Sequence, residues 1–281
     1  MQQSVPSRTA LRVAMRRAAH QIYDAQPLVL EDPIAIAILG EQFLPEVHKT
    51  AAKLEKPFSV ALRSFLVARS RYAEDTLSIA VAQGVTQYVI LGAGLDTFAY
   101  RSPYPNLHVF EVDYPATQQW KRELLNFNKI PIPHNLTFVP VDFEHQTLPA
   151  QLLAAGFDSA VPTFFAWLGV VPYLTLEAFR STLRFIAARP ANSGLVFDYG
   201  LPRSALPRLE QLAHDSLAAR VQQAGEPFQL FFTPREAAAE LVAFHNLEDL
   251  SSSEINARYF QNRRDNLRLL GSSAHILSAW L

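Results

Sequence analysis

The chain has no cysteine, which removes disulfides, thiolate zinc sites and any cysteine nucleophile together and leaves the redox compartment open. It also lacks an excess of either charge. The formal net charge is −1, the pI is near 6.7, and Lys and Arg are scattered rather than blocked. Such a surface has no field to collect polyanions, so nucleic acid is not an expected partner. No stretch reaches the ~20 uncharged apolar residues that a membrane-spanning helix needs. The segment from Ser7 to Tyr23 carries Arg8, Arg12, Arg16 and Arg17 through its apolar positions, so it lacks the uninterrupted centre of a signal peptide. These features read as a soluble, cytoplasmic chain with no membrane partner. Neither G-x-S-x-G nor H-E-x-x-H occurs, and His20, His245 and His275 have no partners at metal spacing. Serine-hydrolase chemistry, zincin chemistry and a bound metal are therefore not expected.

The chain does hold the material of one large α/β domain with a helical portion docked on it: 281 residues, 49% apolar and 18% charged, without repeats or low-complexity segments. Leu11, Met15, Ala18 and Ile22 recur at helical spacing with arginines on other faces, which predicts an amphipathic helix that packs on something else. Asp32-Pro33 starts a second helical stretch through Leu39, with Gly40 as its stop, and Pro45 and Pro57 punctuate a loosely helical region after it. Residues 60–82 form a long helical pattern, and Gly84 stands where a left-handed cap falls.

From there the chain alternates. Apolar runs at 87–91, 108–112, 136–141, 161–167 and 194–199 read as buried strands, separated by helical patterns at 115–127, 148–155 and 176–188. Five strands alternating with helices imply a parallel sheet with right-handed crossovers, covered on both faces. Beyond it, Thr233-Pro234-Arg235-Glu236 starts a helix, and residues 247–250 and 275–281 are candidate strands.

The chemistry points to the first strand. Its apolar run breaks into Gly92-Ala93-Gly94-Leu95-Asp96-Thr97, and the acidic pair Glu111 and Asp113 comes about twenty residues later, the spacing of a nucleotide-type cofactor site. A dinucleotide loop requires a third glycine, and here that position is Thr97. S-adenosylmethionine carries no phosphate and needs only close backbone approach and a carboxylate for its ribose. Asp142, ending the third strand, supplies a second acid. Each residue also has a plainer use: Asp113 as a cap of the helix begun by Pro115, Arg69 as a surface partner of Glu74 or Asp75, Asp142 as a loop aspartate, and Phe164-Phe165-Ala166-Trp167 as strand core. An NAD-dependent oxidoreductase and a non-catalytic cofactor-binding protein remain as alternatives.

Taken together, Ala68-Arg69-Ser70-Arg71-Tyr72, the run from Val89 to Thr97, Phe110-Glu111-Val112-Asp113-Tyr114-Pro115, Val141-Asp142-Phe143 and the run from Trp167 to Leu174 resemble the class I S-adenosylmethionine-dependent methyltransferases of the leucine carboxyl methyltransferase-like family. The resemblance implies a doubly wound, mostly parallel, seven-stranded Rossmann-like sheet at 85–281 with an N-terminal helical lid at 1–84. It implies S-adenosyl-L-methionine as cofactor and O-methylation of a small-molecule carboxylate or hydroxyl. It assigns Arg69 to the methionine carboxylate, Gly92, Ala93 and Gly94 to the methionine and ribose, Asp113 to the ribose hydroxyls, and Asp142 with Phe143 to adenine. Trp167, Tyr173 and Tyr199 would edge the substrate pocket. One departure stands out: the family usually has an acid where this chain has Leu168, before Gly169. No residue is assigned as a general base.

Overall fold

The innermost runs, at 87–91, 163–167 and 194–199, become strands because they are buried on both sides between two helical layers, and the runs at 108–113 and 136–140 extend the sheet toward its edge. In the computed structural model, which describes residues 7–49, 56–142, 145–223, 225 and 227–281, they are β1 (Gln87–Leu91), β2 (His108–Asp113), β3 (Leu136–Pro140), β4 (Thr163–Trp167) and β5 (Gly194–Gly200). With β6 (His245–Leu250) and β7 (Ala274–Trp280) they form one seven-stranded sheet in the order β3-β2-β1-β4-β5-β7-β6. The first five are parallel, and β7 runs antiparallel to both β5 and β6. The chain moves outward from β1 through β2 to β3, then crosses back to place β4 on the other side of β1. That reversal opens a crevice at the carboxyl ends of β1 and β4, where ligands of open α/β sheets bind.

The helices are α1 (Arg8–Tyr23), α2 (Ile34–Ala37), α3 (Gly40–Lys49), α4 (Pro57–Ala82), α5 (Pro115–Phe127), α6 (Leu148–Ala154), α7 (Leu176–Ala187), α8 (Arg208–Gln223), α9 (Pro234–Glu240) and α10 (Ser252–Tyr259). One face of the sheet meets α4 and α10 through Val67, Tyr72, Tyr88, Phe164, Val196, Ile255 and Ile276. The other meets α6, α7 and α9 through Leu152, Phe165, Phe179, Leu195, Phe197 and Leu241. A third apolar cluster joins the N-terminal helices to the loop after β1 and to α5: Ala14, Ala18, Ile38 and Leu39 pack with Leu95, Leu124 and Leu125. Among the described residues, no helix is long and apolar enough to cross a membrane.

Gly40, at a left-handed φ of +58°, breaks the helical course after α2 as expected and is also the first residue of α3. One expectation about the N-terminal portion needs correction. Arg17 does not lie on an outer face: it is buried at 4% exposure. Its guanidinium donates to Asp32 Oδ2 at 2.5 Å, to Thr97 Oγ1 at 2.8 Å and to Asp96 Oδ2 at 3.1 Å. Asp32, itself fully buried, also accepts from the Thr97 hydroxyl at 2.7 Å. Three long-range partners make the buried position tolerable for a cation.

The acidic pair on β2 separates into two roles. Asp113 ends the strand at its carboxyl edge, whereas Glu111 is fully buried and pairs with the equally buried Lys121 of α5 at 2.6 Å. Removing one member of such a pair leaves an uncompensated charge. Above pH 7, where Glu111 is ionised, Lys121→Met is therefore expected to lower the unfolding free energy by about 3–5 kcal/mol, and Glu111→Leu combined with it should restore most of the loss, as urea denaturation at pH 8 would show. Burial pushes the Glu111 carboxyl up from 4.5 to about 7 in spite of Lys121. Across that window the folded chain holds a proton that the unfolded chain has released, so this group's stabilising contribution is complete at low pH and is lost as pH rises through 7. The double variant should lose that part of the pH slope.

Candidate functional site

The loop after β1 is shaped by its hydrogen bonds. Gly92 N–H and Ala93 N–H both donate to the Val112 carbonyl, at 2.8 and 2.9 Å, which continues the β1–β2 ladder past the end of β1. Gly94 N–H donates to Asp113 Oδ2, and Tyr114 N–H to Asp113 Oδ1 at 2.7 Å. Gly92 has a left-handed φ of +69°, and a Cβ there would lie 2.3 Å from Val170 Cγ2. The backbone is therefore bare at this point for two reasons, conformation and contact. The loop runs into a three-residue 3₁₀ turn, Phe98–Tyr100, rather than a long helix. A pyrophosphate site needs a helix N-terminus aimed at it, and this loop has none.

Across the crevice, Arg69 reaches from the middle of α4 to the tips of β4 and β5. Its Nη1 donates to Asp198 Oδ2 at 3.0 Å, and Asp198 Oδ1 accepts from Gly169 N–H. The side chains are 11% and 5% exposed, so this is a nearly buried pair. The surface pairing with Glu74 or Asp75 does not occur: Glu74 binds Arg101, and Asp75 binds Arg71. Gly169, at φ +71°, lies so close to the guanidinium that a Cβ would meet Arg69 Nη2 at 2.7 Å. The N-terminal end of α1 sits over the glycine loop, with Ala10 against Gly94 and Ser7 N–H donating to Thr117 Oγ1 of α5.

The remaining expected residues fall in different places. Asp113 does not cap α5: the cap position is Tyr114, no side-chain capping bond forms there, and the carboxylate turns to the Gly94 amide instead. Asp142 is half-buried just past β3, its carbonyl accepting from Gln146 N–H at 2.8 Å. Phe143 lies outside the described residues. Trp167 is buried and stacked on Phe179 with ring centroids 5.3 Å apart, and Tyr199 is buried, donating to Asp249 Oδ2 at 2.5 Å and stacking on His275. Burial first, and then the Asp249 carboxylate, push the Tyr199 hydroxyl well above its ordinary pKa. Tyr173 is half-buried on the 3₁₀ turn Val171–Tyr173, its ring 5.3 Å from that of Phe228. Two surface cavities, of about 790 and 280 Å³, lie along α4 and α10 and touch none of the glycine-loop residues.

Asp198 is absent from the residues that sequence pattern alone singles out. The signal is nonetheless there: one acid in Leu195-Val196-Phe197-Asp198-Tyr199, otherwise apolar or aromatic and buried throughout. Arg17, Asp32 and Thr97 do not stand out as a group either, because nothing in their spacing foretells a meeting between α1 and the loop after β1.

A family model described as leucine carboxyl methyltransferase matches residues 10–187. YktD of Bacillus subtilis, whose name assigns it provisionally to the S-adenosyl-L-methionine-dependent methyltransferases, is 35% identical over 95% of each chain. A similarly named protein of Mycolicibacterium smegmatis is 31% identical, covering 87% of this chain and 81% of its own. The fold is similar to that of a DUF574 family protein from Streptomyces avermitilis, with a TM-score of 0.58 at 18% identity over 87% of this chain and 94% of the other. It is also similar to a provisionally named methyltransferase from Thermobifida fusca, with a TM-score of 0.55 at 18% identity over 87% and 91%.

The Gly169 contact gives a direct test. Gly156 also has a positive φ, +89°, but a Cβ there meets nothing within 4 Å, so Gly156→Ala carries only the backbone cost. Gly169→Ala carries that cost and displaces Arg69 as well. It is expected to destabilise by about 1–3 kcal/mol and by more than Gly156→Ala, as paired denaturant titrations would show.

Proposed function

The chain belongs to the leucine carboxyl methyltransferase family and is an S-adenosyl-L-methionine-dependent methyltransferase, and from that premise we propose that it methylates an oxygen of a small-molecule acceptor, a carboxylate before a hydroxyl. The observation that carries the cofactor side of this reading is the glycine loop with an acid on its amide and no helix behind it. That arrangement suits a phosphate-free adenosyl ligand and gives a dinucleotide no anchor for its phosphates.

The donor set fits such a ligand. Asp113, its carboxylate oriented by the Gly94 and Tyr114 amides at the carboxyl end of β2, would accept from the ribose hydroxyls. Gly92, which is exposed, and Gly94, half-buried beside Ala10, bring main chain without side chains to the same edge, and the buried Ala93 joins them. Asp142 and Phe143 would hold the adenine, and Arg69 the methionine carboxylate. The cofactor supplies a methyl group on a sulfonium, a leaving group that needs no activation by the protein. The protein's contribution is then alignment and the exclusion of water. Alignment alone is worth ~7–11 kcal/mol when reacting groups are held in place. The N-terminal helices act as a lid over the edge, with α1 against Gly94. Trp167 and Tyr199 support the acceptor pocket from beneath, and Tyr173 borders it.

A carboxylate acceptor is favoured for one reason of chemistry. It attacks as it stands, whereas a hydroxyl needs a base to take its proton. At this edge, Asp198 is engaged by Arg69 and Gly169 N–H, and Asp113 by two amides. Neither carboxylate is placed as a free base.

Thermal-shift titration should show S-adenosylhomocysteine raising the melting temperature and NADH leaving it unchanged. Asp113→Ala is expected to weaken S-adenosylhomocysteine binding by roughly 1.5–3 kcal/mol without unfolding the protein, measured by calorimetry. Transfer of a labelled methyl group to a panel of small acids and alcohols decides the acceptor class: label released by mild alkali marks a carboxyl ester, and alkali-stable label an ether. Stabilisation by NADH in place of S-adenosylhomocysteine would defeat the reading.

A further inference from the structure

The crevice carries two opposite charges, and only one of them has been given a ligand. Asp198 comes from the end of β5 and Arg69 from α4, 129 residues apart in sequence, and they meet beside the Gly169 amide at 3.0 Å. Asp198 is 4% exposed and Arg69 9%. Each Asp198 oxygen takes one hydrogen bond, Oδ1 from Gly169 N–H and Oδ2 from Arg69 Nη1, and a carboxylate oxygen accepts two. The pair thus has unused acceptor capacity on the acid, and four guanidinium N–H groups besides the one given to Asp198. The neighbouring position at the strand tip, Leu168, brings no charge.

We propose that Asp198 binds the α-ammonium group of the cofactor's methionine portion, so that Arg69 and Asp198 together read an amino-acid zwitterion, cation to carboxylate and anion to ammonium. The assignment rests on the methyl-donor reading. It differs from a purely structural ion pair in what it predicts for ligands. A structural pair would hold α4 to β5 and affect every ligand of the crevice alike. A zwitterion reader discriminates between ligands that have the ammonium group and those that lack it. The geometry favours the second: Gly169 puts no side chain between the strand end and the guanidinium, and Asp198 lies one residue past the Trp167–Phe197 register pair, at the carboxyl ends of the parallel strands. The shared position also fixes the acid's orientation, because the Gly169 amide and the guanidinium hold both oxygens in place before any ligand arrives.

The test uses calorimetric binding of three ligands to the full chain: S-adenosylhomocysteine, its analogue without the α-amino group, and 5′-methylthioadenosine, which lacks the whole amino-acid portion. The wild type should bind S-adenosylhomocysteine roughly 10- to 100-fold more tightly than the deamino analogue, the range for one hydrogen bond to a charged group. Asp198→Asn should lose that preference while its affinity for 5′-methylthioadenosine stays within about twofold. Equal binding of the two homocysteine ligands by the wild type overturns the assignment, and needs no variant, so the proposal remains exposed even where Asp198→Asn fails to fold. An Asp198→Asn protein that keeps the preference overturns it as well, as does one that loses affinity for all three ligands together. A wild type that binds none of the three removes the methyl-donor reading itself, and this assignment with it.

Discussion

A glycine loop that ends a strand and leads into no long helix must be held by side chains, and this constraint organises the carboxyl edge. In dinucleotide-binding sheets the helix after the loop fixes its course. Here Phe98–Tyr100 is a single 3₁₀ turn, and the loop is pinned from two sides instead. Asp113 holds Gly94 from below, and Arg17 with Asp32 holds Thr97 from above. The second grip comes from α1 and the turn before α2, so the N-terminal helices are part of the machinery that shapes the loop. Their charges are buried, and buried charges that lose a partner are costly, which makes the roof and the loop a single unit.

Much of this is legible in the sequence, for a physical reason that also marks where legibility ends. Strands buried on both faces leave uninterrupted apolar runs, and prolines at the first turn start α5 and α9, so β1 to β5 and the helices between them follow from local pattern. The Ser251–Glu254 capping box is a local signal of the same kind, yet α10 behind it spans only eight residues, too few for a helical period to stand out. Helix α8 gives no signal because its apolar residues do not form a buried stripe: Leu209 and Leu212 are 81% and 64% exposed. The site divides in the same way. Gly92, Gly94 and Asp113 lie close in sequence with a spacing that means something. Arg17 with Thr97 and Arg69 with Asp198 are encounters across 80 and 129 residues, set by the packing of helices on the sheet and invisible to any window.

The two acids of β2 show how one strand serves structure and site at once. Alternate residues of a strand share a face, so Glu111 and Asp113 point to the same side, yet one is sealed under α5 against Lys121 and the other emerges where the strand stops. Two residues of rise separate a structural ion pair from a carboxylate at the crevice. On the far side of the switch point the same economy recurs on β5, where Asp198 turns to the face with Arg69 and Tyr199 to the opposite face, against His275 and Asp249.

The position of β7 between β5 and β6 has an effect on how the protein comes into being. During translation, β5 is made long before the residues that will complete its hydrogen bonding, and its free side remains open while some seventy further residues emerge. β6 waits as well, since β7 is its neighbour in the sheet. Nascent chains of this kind expose a sticky strand margin to other polypeptides, so the late arrival of 274–280 makes chaperone occupancy and expression temperature matter more than the stability of the finished domain would suggest.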